Sequence, residues 1–158
     1  MFSLKTSGFA EMDKVLRDLP RSTARNTARR AMKVALEPVA AAAEAAAPVD
    51  QGDLAKSIVI SSKLKPSQAR DREARETATS LALYVGSSSP LAHLVEFGTG
   101  PRYQANGKLV GVMPAQPWFR PAWDGNAAKV LDILASQLRI EIDKTLARAA
   151  RKAARARG

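Results

Sequence analysis

The stretch from Tyr84 to Trp123 constrains this chain more than any other. It carries both tryptophans, both tyrosines, the only histidine, two of the four phenylalanines and five of the nine prolines. Aromatic rings supply most burial per residue, and proline fixes φ while removing a backbone donor. Elsewhere the chain is dominated by Ala, Leu, Lys and Arg. The specific geometry is therefore set here, in two dense clusters, Pro90 to Gly100 and Met113 to Trp123.

The flanking elements follow from periodicity. Phe9, Met12, Leu16 and Leu19 share one helical face, and Pro20 closes that helix. A second helix is predicted over Ser22 to Ala47, with a stripe of Ala28, Met32, Ala35, Val39, Ala43 and Ala46. Pro38 is expected to kink or interrupt it, at a cost of about 3 kcal/mol. The run Ala40 to Ala47 reads either as a smooth face for close backbone approach or simply as strong helix propensity. Gly52 can take a positive φ, and Asp53 is a candidate N-cap for one turn through Lys56.

Ile58 begins a β-branched strand expected to reach Leu64. Leu81, Leu83 and Val85 alternate as a second strand, pairing antiparallel with the first. Residues 65–78 between them are charged, as a partner-ordered loop or a short solvated helix. Pro90 opens a short helix with Leu91, Leu94 and Val95 on one face, ended by Gly98 and Gly100. Asn106-Gly107 marks a hairpin turn between arms Arg102–Ala105 and Lys108–Met113.

The last helix starts at Phe119 or Pro121. Leu131, Leu134, Leu138, Ile142, Leu146, Ala149 and Ala153 keep to one face, with Ile133 and Ile140 opposite, so burial on two sides is expected. Beyond Asp143 no acid remains, and Lys144, Arg148, Arg151, Lys152, Arg155 and Arg157 are expected to ring the helix as a basic arm. The fold class expected is α+β: a small antiparallel sheet packed by N-terminal helices and a long C-terminal helix. Residues 1–143 would form one domain and 144–158 the arm.

Composition narrows the function. Much of the 46% apolar content is alanine and only eight residues are aromatic, so the core is thin for 158 residues. Part of the apolar surface is then expected to be buried against other copies. The absence of cysteine excludes disulfides and thiolate metal sites. A lone histidine argues against a His-based metal site or a Ser-His-Asp triad. No cofactor and no membrane span are expected, and the N-terminus lacks a secretory-type apolar stretch, pointing to a cytoplasmic origin. A net charge of +10 points to a polyanion or an acidic protein face nearby.

Glu96 has no second carboxylate or nucleophile beside it in the motif, so a structural acid is favoured over a catalytic one. Its expected partners are Arg102, Arg120 or nearby backbone donors. His93 reads as an ordinary helix residue. Gly98-Thr99-Gly100 lacks the Gly-Lys-Ser/Thr continuation of a phosphate loop. Pro114 to Trp123 reads as an extended segment delivering Trp118 and Phe119 to the core, rather than as a polyproline-type ligand. The basic arm suits nucleic-acid backbone, acidic neighbouring proteins or plain solvation, and without aromatics it does not suit base stacking.

The order of four blocks resembles a known family. These are Pro48…Gly52-Asp53-Leu54…Ser57-Ile58, then Tyr84-Val85-Gly86, then Ala92…Val95-Glu96-Phe97-Gly98-Thr99, then Gln116-Pro117-Trp118-Phe119-Arg120-Pro121-Ala122. Over about Met32 to Ile140 the chain is similar to the head–tail joining family of long-tailed bacteriophages, also called tail-completion or neck proteins. The resemblance implies a minor tail protein of the virion, made in the host cytoplasm, and no enzyme. It implies a ring of six or twelve copies at the head–tail junction. Its implied neighbours are a portal-side connector or stopper, tail terminator or tail tube proteins, and genomic DNA in the channel. The basic extension and the charged 65–78 segment depart from the family pattern. A non-specific DNA-binding protein acting through basic helices is the alternative.

Overall fold

In a computed structural model the described residues are 9–48, 53–64 and 80–156. Gly52, the 65–78 segment and Arg157 lie outside them. The element order is α1 (Phe9–Asp18), α2 (Arg21–Ala46), α3 (Asp53–Lys56), β1 (Ile58–Ser61), β2 (Tyr84–Ser87), α4 (Ala92–Phe97), β3 (Thr99–Tyr103), β4 (Leu109–Met113) and α5 (Phe119–Arg155). The class is α+β, and the β structure is divided between two antiparallel two-stranded ribbons, β1–β2 and β3–β4. The chain separates into two compact units.

The first unit comprises residues 1–36, 62–83 and 129–158. Met12, Ala31, Leu138 and Ile142 are buried at its centre, with Val15, Leu16, Ala28 and Leu134 packed around them. Burying a side chain such as Leu138 or Ile142 is worth about 2 kcal/mol. Polar groups tie the same helices together. The Thr27 and Thr145 hydroxyls lie 3.0 Å apart, both buried, and Thr145 also donates to the Glu141 carbonyl at 2.7 Å. Arg30 pairs with Glu141 at 2.5 Å, and Lys144 reaches the other oxygen of that carboxylate at 3.1 Å.

The second unit comprises residues 37–61 and 84–128. Its core is Ala43, Ala47, Ile58, Trp118 and Ala122, with Leu54, Val85, Val95 and Phe119 packed against it. Three of those five buried residues are alanines, so the Trp118 indole fills most of the space between them. Its ring meets Phe119 edge-on, with centroids 5.7 Å apart and planes at 79°.

Several sequence expectations shift in detail. The buried stripe of α2 runs Thr27, Ala31, Ala35, Val39 and Ala43 at i+4 spacing, with Leu36 beside it and Ala47 just past its end, whereas Ala46 is exposed. Pro38 does not interrupt α2: it forgoes one hydrogen bond, while buried Ala35, Val39 and Ala43 hold the helix on either side. Strand β1 stops at Ser61 and β2 starts only at Tyr84, with Ile58 opposite Ser87 and Ser61 opposite Tyr84. That register is fixed by serines: the Ser57 and Ser87 hydroxyls lie 2.6 Å apart, and the Ser88 N–H donates to the Ser57 carbonyl at 2.8 Å. Leu81 and Leu83 therefore precede the strand. Leu91 lies before α4 and is exposed, and Gly100 belongs to β3.

Candidate functional site

The residues that sequence singles out converge at the start of α5. The first four N–H positions of any α-helix lack partners within the helix; here those positions are Trp118, Phe119, Arg120 and Pro121. One oxygen of Glu96 accepts from Trp118 and Phe119, each at 2.9 Å, and the other accepts from Arg120 at 3.1 Å. Pro121 has no N–H to satisfy. A single buried carboxylate thus closes the whole amino end of a 37-residue helix.

The electrostatics agree with that geometry. Burial pushes the Glu96 carboxyl upward, but the Phe119, Trp118 and Arg120 donors and the Arg120 charge outweigh it and hold the pKa below the ordinary value. Negative charge at a helix amino end is stabilised by the aligned peptide dipoles. Arg120 contributes its backbone N–H as well as its charge. Arg102, the other expected partner, is in β3 and exposed.

The chain on either side is stitched to the same place. The Gln116 N–H donates to the Val95 carbonyl at 2.9 Å, and the Met113 N–H donates to the Thr99 hydroxyl at 3.2 Å. Gly98 ends α4 with φ +70° and ψ −177°, a region essentially confined to glycine. A Cβ there would lie 2.7 Å from both the Ala115 nitrogen and the Met113 carbonyl oxygen. Glu96-Phe97-Gly98-Thr99 and Pro117-Trp118-Phe119-Arg120-Pro121 are therefore one knot of backbone contacts. Tyr84 is half-buried in β2, while Pro117 and Pro121 are exposed.

From this knot an apolar ribbon projects into solvent. Phe97 is 72% exposed, Val110 56% and Val112 58%, and Tyr103 and Leu109 are exposed as well. The turn at its tip is made by the Gln104 N–H to Lys108 carbonyl bond at 2.9 Å and by Gly107 at φ +78°. An isolated two-stranded ribbon is marginal in water, so its exposed apolar residues make it a candidate interaction element. Sequence reasoning finds the hairpin from Asn106-Gly107 but not its exposure, because alternation alone does not say whether another layer covers a strand.

A second surface lies at the far end of α5. Lys144, Arg148, Arg151, Lys152 and Arg155 are all exposed. At about 100° per residue they fall within about 100° of the helix circumference, so they form a stripe rather than the expected ring. Packing of α5 continues to Thr145, and every described residue beyond it is exposed. Ile140 is likewise exposed, whereas Ile133 on the same face of α5 is half-buried. Among the described residues no helix is long and apolar enough to cross a membrane.

Residues 10–98 match the HK97-gp10-like family, described as "Bacteriophage HK97-gp10, putative tail-component". The match covers more than half of the 158 residues and includes Glu96-Phe97-Gly98. No curated protein and no solved structure matches the chain.

Proposed function

The chain belongs to the HK97-gp10-like family of bacteriophage tail components, and on that premise we propose that it forms a ring at the head–tail junction of the virion. There it completes the tail and joins it to the DNA-filled capsid, as a structural element rather than an enzyme. Six or twelve copies match the symmetries of tail and portal, with a connector or stopper on one side and the tail terminator or tube on the other. The observation that carries this beyond family membership is the β3–β4 ribbon. Its valines and tyrosine are exposed in a folded chain, and a ring of identical copies is the closed assembly that covers such a surface on every subunit.

The test is a phage lacking this protein. The expected result is filled heads and separate, finished tails by electron microscopy, restored to joined particles by adding the protein. Normal joined particles without it would overturn the proposal, as would immunogold label anywhere but the junction.

The basic stripe on α5 supports a second role, contact with DNA backbone. Binding to random-sequence DNA by the full chain should weaken steeply with salt, because each neutralised phosphate releases condensed counterions.

A further inference from the structure

Charge is segregated within the second unit. Between Lys33 and Lys56 the sequence holds Glu37, Glu44, Asp50 and Asp53 and no base, while between Glu96 and Asp124 it holds Arg102, Lys108 and Arg120 and no acid. Two copies of a chain with net charge +10 repel over most of their surface. Contact between copies therefore needs a local acidic patch, and α2 supplies one. Glu37 and Glu44 are exposed on the same helical face, with exposed Ala41 and Ala45 between and beside them. Val39, Ala43 and Ala47 are buried on the opposite side, which fixes this face outward.

The ribbon is its complement. Val110 and Val112 are both exposed on β4, with Lys108 exposed beside them and Arg102 exposed on β3, opposite Gly111 where the register shifts. Glu37 and Glu44 lie about 10 Å apart along the helix axis. Gln104 bonds to Lys108 across the ribbon, which places Arg102 and Lys108 about 7 Å apart along it, a difference that flexible Arg and Lys side chains span. Exposed alanines on the helix permit close approach by the exposed valines.

We propose that the β3–β4 ribbon of one copy docks on the Glu37–Ala45 face of α2 in the next copy. Val110 and Val112 lie on Ala41 and Ala45, and Arg102 and Lys108 meet Glu37 and Glu44. The two surfaces differ, so the contact repeats head to tail and closes into a ring. It rests on the ring assembly proposed above and names the surfaces that build it.

Charge reversal tests it in the full chain. One variant carries Arg102→Glu with Lys108→Glu, the other Glu37→Lys with Glu44→Lys. All four positions are exposed, and circular dichroism confirms folding. Each variant alone should need about tenfold or more higher concentration for half-association, since like charges then oppose. An equimolar mixture should restore wild-type association, because each reversed ribbon then meets a reversed helix. Wild-type association by both variants, or a mixture that fails to recover, would overturn this interface while leaving the ring intact.

The chain has no cysteine, so Ala41→Cys with Val110→Cys reads the contact inside particles as well. Oxidation should give a ladder of covalent multimers. Multimers by native mass spectrometry without a ladder would refute the docking alone. A protein that is single both in solution and in mature particles would refute the ring itself.

Discussion

The carboxylate of Glu96 and the backbone N–H of Trp118 are joined at 2.9 Å across 22 positions of sequence. The same side chain holds Phe119 and Arg120. Replacing Glu96 with Ala leaves three backbone donors without their acceptor at the start of α5. The expected loss is about 3 kcal/mol, and about 2 kcal/mol for Glu96→Gln, which keeps one carbonyl acceptor but no charge. Urea unfolding followed by tryptophan fluorescence measures both. A loss below about 0.5 kcal/mol for Glu96→Ala would show that the cap is dispensable.

Acid should erase that difference. The Glu96 pKa is depressed in the folded chain, as is that of Glu141 through its bond to Arg30. The stability each contributes is thus fully present above the ordinary carboxyl value of 4.5 and is lost as pH falls through the depressed folded value. The urea midpoints of wild type and Glu96→Gln should differ at pH 7 and converge in acid below that point. A constant gap across the titration would assign the stabilisation to something other than the charged carboxylate.

Gly98 and Gly100 should respond oppositely to alanine. Gly98→Ala combines positive φ with backbone atoms 2.7 Å from the new Cβ, so a loss of about 3 kcal/mol is expected. Around Gly100 nothing lies within 4 Å of the added carbon, and its alanine variant should fall within about 0.5 kcal/mol of wild type. Thermal unfolding of the pair decides this.

Thr27 and Thr145 should behave as a coupled pair. Thr27→Val removes the Thr145 hydroxyl's partner on α2 while its bond to the Glu141 carbonyl remains, at a cost of about 1 kcal/mol. Thr27→Val with Thr145→Val removes both groups at similar volume and should cost less than the sum of the single changes. A double-mutant cycle in urea gives the coupling directly. Strict additivity would mean that the two hydroxyls do not interact.

Truncation should separate folding from charge. Ending the chain after Leu146 removes residues that are all exposed among those described and should change stability by less than about 0.5 kcal/mol. It also removes Arg148, Arg151, Lys152, Arg155 and Arg157, so the log–log salt slope of DNA binding should fall by about 4. Ending it after Asp143 removes Thr145 and Lys144 from their partners and should destabilise the chain measurably. Equal stability of the two truncations would refute the packing of Thr145.

Much of this was legible in the residues because the signals were local. Asn106-Gly107 gives the turn, and the extended segment before Phe119 gives the start of α5. Glu96 beside an apolar helix end reads as a structural acid. What sequence misses depends on distant partners. Thr27 belongs to the α2 stripe because its hydroxyl finds Thr145, 118 positions away, and a polar residue in an alanine-rich helix carries no such mark. Leu81 and Leu83 alternate like a strand, but the Ser57, Ser87 and Ser88 contacts place β2 further along. Pro38 passes for a break because packing on both sides of it is invisible to propensity.

The occupied amino end of α5 closes one route by which a chain can hold a polyanion. Helix amino ends are ready-made receptors for phosphate, yet this one is filled by the chain's own acid and finished with a proline. The DNA contact proposed above would then fall to the exposed lysines and arginines near the opposite end of that helix. Attraction of that sort is dulled by ions and indifferent to base order.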